Sequence, residues 1–129
     1  MIAVDTSAII AILWNEPEAP RIRASLEAAD GAFVSTASLL ELQLVVAGVR
    51  SKTGWKEAEA LLRDYEIRPR AFDEQQLEIA RDAVVRFGKG RHKAGLNFGD
   101  CFAYALAISE DIPLLFTGKD FAHTDVTAA

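Results

Sequence analysis

Ile2-Ala3-Val4-Asp5-Thr6-Ser7-Ala8-Ile9-Ile10-Ala11-Ile12-Leu13-Trp14 is the stretch that decides the fold. Its first three residues read as a short apolar strand that ends on Asp5. Residues 8–14 read as a helix buried on most sides, and the polar junction between them suits an N-cap. The unit recurs along the chain. Ala32-Phe33-Val34-Ser35 is a second strand, and Thr36-Ala37-Ser38 leads into a strongly apolar helix over 39–46. Leu114-Leu115-Phe116 is another short strand, Glu66-Ile67-Arg68-Pro69 fits an edge strand where proline is tolerated, and residues 124–126 are expected to add one more. Amphipathic helices fill the intervals: residues 18–29 with Ile22 and Leu26 on one face, a helix from Gly54 through Leu62, and a long one capped by Asp73 that runs to Phe87. Short apolar strands alternating with helices imply an α/β fold with a short, mostly parallel central sheet covered on both faces.

A second stretch carries the chemistry: Leu96-Asn97-Phe98-Gly99-Asp100-Cys101-Phe102-Ala103-Tyr104-Ala105-Leu106-Ala107. From Phe102 onward it is apolar except for Tyr104, so it should be a buried helix. Its one carboxylate, Asp100, falls in the first turn, with Asn97 three residues earlier. A charge on the buried side of such a helix is costly unless something compensates it. Asp100 therefore either caps the helix or faces a cation.

The chain of 129 residues is read as one domain, 1–129, long enough to bury a core. Its lone cysteine, Cys101, forms no internal disulfide, which favours a reducing compartment and a packing role. No apolar run approaches the roughly 18 residues needed to cross a bilayer, and no basic segment precedes the first apolar residues. The expectation is a cytoplasmic protein without a membrane partner. The net charge of −5 weighs against a nucleic-acid partner. That average hides a basic region, however. Arg81, Arg86, Lys89, Arg91, His92 and Lys93 stand against the single acid Asp82, partly on a glycine-punctuated loop.

Four acids fall at or soon after the edge where strands end and helices begin, the edge at which parallel α/β sheets bind ligands. Asp5 ends the first strand, Glu41 follows the second, Asp100 opens the central helix, and Asp120 follows the strand at Leu114. Each also has a purely structural reading. Asp5 fits an N-cap, Ser38-Leu39-Leu40-Glu41 fits the S-x-x-E capping box, Asn97 with Asp100 is a near relative of that box, and Asp120 fits a polar turn. Jointly these readings weaken, because Glu41 is flanked by Leu39, Leu40, Leu42 and Leu44, and Asp100 by Phe98, Cys101 and Phe102. Carboxylates converging in one cleft must share a proton or bind a cation. Oxygen ligands without His or Cys suit Mg²⁺ or Mn²⁺. Such a site orients a phosphate and activates water for attack on phosphorus.

Val4-Asp5-Thr6-Ser7-Ala8, Ser38-Leu39-Leu40-Glu41, Gly95-Leu96-Asn97-Phe98-Gly99-Asp100-Cys101 and Thr117-Gly118-Lys119-Asp120-Phe121 together resemble PIN-domain ribonucleases, most closely the VapC toxins of bacterial toxin–antitoxin pairs. The resemblance spans residues 1–126 in order, and the segment around Asp100 is its most specific motif. It implies a PIN-like three-layer sandwich and Mg²⁺-dependent endonucleolytic cleavage of RNA, with Mn²⁺ as the alternative ion. Asp5, Glu41 and Asp100 match the three firm acidic positions, and Asp120 the variable fourth. Thr6, Ser7 and Asn97 are then supporting polar groups. The resemblance also implies a homodimer, inhibition by a VapB-type antitoxin that covers the acidic cleft, and a heterotetramer or larger assembly with it.

An acidic, metal-loaded cleft needs neighbouring cations to hold an RNA backbone. Arg91, His92 and Lys93 lie just upstream of Asp100, and Arg86 and Lys89 precede them. Trp14 and Trp55 read as packing residues and His123 as a surface residue. Leu42, Leu44, Val45 and Val46 exceed what one helix face needs, so some of them are candidates for a dimer or antitoxin groove beside plain core burial. Two other functions compete. An aspartyl-phosphate mechanism on Asp5 wants a second Asp two residues on, where this chain has Ser7. A catalytically silent module that binds RNA or antitoxin is disfavoured by the intact set of acids.

Overall fold

The computed structural model describes residues 1–48 and 50–129. Four parallel strands, β1 (Ile2–Val4), β2 (Ala32–Ser35), β3 (Ile67–Arg70) and β4 (Leu114–Leu115), lie in the order β3-β2-β1-β4. Parallel neighbours require crossover connections, and each crossover here is helical. α1 (Thr6–Leu13) and α2 (Ala19–Ala28) link β1 to β2. α3 (Thr36–Val46) and α4 (Trp55–Asp64) link β2 to β3, and α5 (Glu74–Phe87) and α6 (Phe98–Glu110) link β3 to β4.

Alternation along the strands divides the core in two. Ile2, Val4, Val34 and Leu115 face α1, α2 and α4, together with Leu42 and Val46 of α3. Ala3, Phe33 and Leu114 face the other way, onto α5 and α6. The result is the helix–sheet–helix sandwich expected from the sequence. α6 is the most deeply set helix, with Ala103, Tyr104, Ala105, Leu106 and Ala107 all buried. Trp14 and Trp55 pack against the first core, Cys101 is buried in the second, and His123 is exposed.

The structure shifts two local expectations. The tail pairs with the sheet beyond residues 124–126: Leu114 N–H donates to Thr127 O at 2.8 Å, and Ala129 N–H donates to Leu114 O at 2.9 Å. Residues 124 and 125 are used otherwise. The Thr124 hydroxyl donates to Phe121 O, and Asp125 accepts from the buried Tyr104 hydroxyl at 2.6 Å. The capping box over residues 38–41 also does not form. Ser35 caps α3 instead, accepting from Ala37 N–H. Glu41 therefore sits in the second turn, where no helix-end N–H claims its side chain.

Among the described residues, no helix is long and apolar enough to cross a membrane. α3 nonetheless carries Leu40 and Leu44 at 65% and 69% exposure, while Leu42 and Val46 are buried. Leu77, Val84, Val85 and Phe98 extend the exposed apolar surface over α5 and the start of α6.

Candidate metal centre

The acids meet where the sequence places them, at the carboxyl edge of the sheet. Asp5, Glu41, Asp100 and Asp120 line one open cleft of about 380 Å³, together with Thr6, Ser7, Asn97 and Thr117. Ile10, Val45 and Glu16 complete the wall.

Asp5 is held by the end of β1, where its N–H donates to Leu115 O at 2.9 Å. It is the N-cap of α1, and its Oδ2 accepts from Ser7 N–H at 3.1 Å and from the Ser7 hydroxyl at 2.6 Å. Its Oδ1 is buried with no hydrogen-bond partner. Asp100 repeats the pattern. In the capping box that opens α6, Asn97 N–H donates to Asp100 Oδ2 at 3.0 Å and Asp100 N–H donates to Asn97 Oδ1 at 2.9 Å. The structural and the functional readings of these two acids are thus compatible: each uses its Oδ2 as a cap while the residue itself lines the cleft.

Burial pushes the Asp5 carboxyl up to about 6, with the Glu41 charge adding to it and the Ser7 hydrogen bonds opposing. Asp100 is pushed up to about 7, first by burial, then by the charge of Asp5 and by a hydrogen bond and charge shared with Asp120, while the Asn97 N–H pulls the other way. Carboxylates left in this state hold a surplus of negative charge that a cation would relieve.

The remaining members are placed less tightly. Glu41 reaches the cleft from α3, its carboxylate lying against the first turn of α6 at Gly99. Asp120 is exposed and opens a 3₁₀ turn (Asp120–His123) that follows Gly118, whose φ of +83° is the left-handed conformation glycine favours. Thr6 is tied down, its hydroxyl donating to Ser38 O at 3.3 Å. Ser7 links two elements, because its Oγ also accepts from Thr117 N–H at 3.1 Å. Among the described residues, no three Asp, Glu, His or Cys side chains stand close enough together, as placed, to hold a metal ion. An open, all-oxygen site with an unpartnered buried Asp5 oxygen fits a hard ion that keeps several waters, as Mg²⁺ does.

The basic residues divide. Lys89 and Arg91 line a groove of about 380 Å³ with Phe98, and Asn97 is common to that groove and the acidic cleft. Lys93 is exposed on the same loop. His92 turns inward: its Nδ1 accepts from Ala94 N–H and its ring stands edge-on to Phe87 at 5.2 Å. Arg86 is engaged by Asp82 and Asp125, both at 3.2 Å, and lies over the Phe87 ring. One cleft residue, Glu16, is not singled out in the sequence, where it looks like a helix-stopping residue before Pro17.

Residues 2–126 match the family model of the PIN domain. The chain is 45% identical to ribonuclease VapC30 of Mycobacterium tuberculosis over 95% of its own length and 94% of the relative's. It is 43% identical to a ribonuclease VapC of Mycolicibacterium smegmatis over 97% of each. The fold is shared with M. tuberculosis VapC20, a sarcin-ricin-loop-cleaving toxin, at a TM-score of 0.76 and 17% identity, covering 100% of this chain and 98% of that one. It is also shared with VapBC2 of Rickettsia felis bound to a DNA fragment from their promoter, at a TM-score of 0.75 and 14% identity, covering 99% and 96%. By its matched residues and its relatives, the chain belongs to the PIN-domain family, among the VapC-type ribonucleases.

Proposed function

We propose that this protein is the endoribonuclease toxin of a type II toxin–antitoxin pair, hydrolysing RNA phosphodiester bonds with Mg²⁺, or Mn²⁺, held by Asp5, Asp100 and Glu41. The observation that carries the proposal is the pair of half-used carboxylates. Asp5 and Asp100 each spend one oxygen on a helix cap and face one cleft, and Asp5 Oδ1 has no partner.

When bound, the ion supplies Lewis-acid stabilisation of the phosphoryl oxygens and a water of lowered pKa. The protein's own groups do the rest. Ser7 fixes the orientation of Asp5, and the Asn97 N–H that of Asp100, so both carboxylates are preorganised. Asp120, the variable fourth acid, adds negative charge at the exposed rim of the cleft. Lys89, Arg91 and Lys93 draw the RNA backbone along the groove that shares Asn97 with the cleft. Arg86 and His92 contribute to the fold of that region and not to the RNA contact.

The partners that accompany this function are a VapB-type antitoxin and a second copy of the chain. The exposed apolar surface of Leu40, Leu44, Leu77, Val84 and Phe98 is their seat, since an apolar face of that extent is rarely left bare.

The direct experiment incubates purified protein with total RNA in Mg²⁺ and in chelator, and maps the new 5′ ends. Discrete cleavage in Mg²⁺, lost in chelator and in Asp100→Asn, is expected. RNA binding without cleavage in any divalent ion would leave the silent-module reading in its place.

A further inference from the structure

We infer that Gly99 is a positioning residue for the metal centre: its missing side chain is the space in which the Glu41 carboxylate sits. The inference rests on the metal-dependent nuclease reading above and goes beyond it, because Gly99 offers no ligand atom.

Gly99 lies in the first turn of α6, one residue before Asp100, and is buried. Its backbone does not require glycine. The positive-φ glycines of the described residues are Gly90, Gly95 and Gly118. An ordinary helical position favours alanine over glycine. The reason for glycine is across the helix pair. A Cβ built on Gly99 would overlap Oε2 of Glu41, and would stand 3.0 Å from its Oε1. The three atoms nearest that position outside α6 itself all belong to the Glu41 carboxylate.

The close approach has a physical use. Glu41 stems from the second turn of α3, a different element from those that carry Asp5 and Asp100. Its long side chain has several rotatable bonds, and no hydrogen bond from the described residues orders its tip, so packing must define where it points. The bare backbone at Gly99 lets α3 and α6 bring the carboxylate against the start of α6. There the unpaired N–H groups and the positive end of the helix dipole favour an anion. A methyl group at residue 99 would push the carboxylate out of this seat while leaving Asp5, Asp100 and the rest of the core in place. Gly99 thus sets the third acid of the site without touching the ion.

The test is Gly99→Ala in the full chain, with Mn²⁺ binding measured by titration calorimetry, RNA cleavage rates, and thermal melts without metal. Mn²⁺ affinity is expected to fall on the order of 10–100-fold, the range for loss of a ligand-orienting group. Cleavage should fall with it, while the metal-free melting temperature holds or rises. Glu41→Asp shortens the side chain by one methylene, and in the Gly99→Ala background it should recover part of the lost affinity although alone it weakens binding. Unchanged binding and cleavage in Gly99→Ala, with Glu41→Gln strongly impaired, would overturn the positioning role and leave the nuclease reading intact. If Glu41→Gln has no effect either, the assignment of the third acid fails and the inference falls with it. A lowered melting temperature in Gly99→Ala without rescue by Glu41→Asp would make the residue merely structural and would also overturn the inference.

Discussion

The hydroxyl of Ser7 donates to Oδ2 of Asp5 at 2.6 Å while accepting from Thr117 N–H at 3.1 Å. This chain of two hydrogen bonds ties the end of β1 to the turn after β4 and fixes the Asp5 carboxylate, whose Oδ1 is buried without a partner among the described residues. Removing the hydroxyl with Ser7→Ala should weaken divalent-ion binding by roughly tenfold, as expected for a group that orients a ligand. It should cost only about 1 kcal/mol of stability for the lost hydrogen bonds. Calorimetric titration and chemical denaturation of the same variant separate the two effects. A variant that loses stability but binds the ion as the parent does would assign Ser7 to the fold alone.

Asp5→Asn should do the opposite to stability. The amide oxygen can still accept from Ser7, but the buried negative charge is gone. Without metal at neutral pH the variant should melt at or above the parent's temperature. RNA cleavage should fall by more than the roughly 10–100-fold lost on removing an outer-shell group. An unfolded or cleavage-competent Asp5→Asn protein would contradict this.

The raised carboxyls make a signed statement about pH. Asp5 and Asp100 titrate near 6 and 7 in the folded protein and near 3.8 when unfolded. Their contribution to metal-free stability is therefore full below about pH 4 and is lost as pH rises through 6 and 7. At about 1.4 kcal/mol for each pH unit between folded and unfolded values, Asp5 alone accounts for roughly 3 kcal/mol. Denaturation midpoints without metal should fall between about pH 4 and 7, and millimolar Mg²⁺ at pH 8 should restore them through preferential binding to the folded state. A flat profile across that window would show that the two acids are not under the strain described here.

The two kinds of arginine should separate in kinetics. Arg91→Ala removes a cation from the groove beside Asn97, and should raise KM and flatten the salt dependence of RNA binding with little change in kcat. Arg86→Ala removes exposed ion pairs to Asp82 and Asp125, and should cost no more than about 1 kcal/mol with KM unchanged. Cleavage kinetics at two salt concentrations decide it, and equal effects of the two substitutions on KM would erase the distinction.

The division between what was legible and what was not follows the range of the interactions. Asp5 and Asp100 could be read because each closes a local motif, a strand end followed by polar caps and an Asn-x-x-Asp box, inside an apolar stretch. The strands could be read from short apolar runs between helices. Glu41 was placed correctly at the cleft, though its capping-box reading misjudged the start of α3 by one turn. The tail strand lay a few residues further on because Asp125 is drawn to Tyr104 and Arg86, partners 21 and 39 residues away. Arg86 looked like a free cation for the same reason. The role of Gly99 is invisible in a single chain of letters, since it depends on how closely α6 approaches α3.

The most direct measurement is a calorimetric titration of purified protein with Mn²⁺ at pH 7.5, run in parallel on the parent and on Asp100→Asn. Saturable binding by the parent, at least tenfold weaker in a variant that keeps the parent's circular dichroism spectrum, is the expected result. Equal binding by both proteins, or none by the parent, would contradict a metal centre built on these carboxylates.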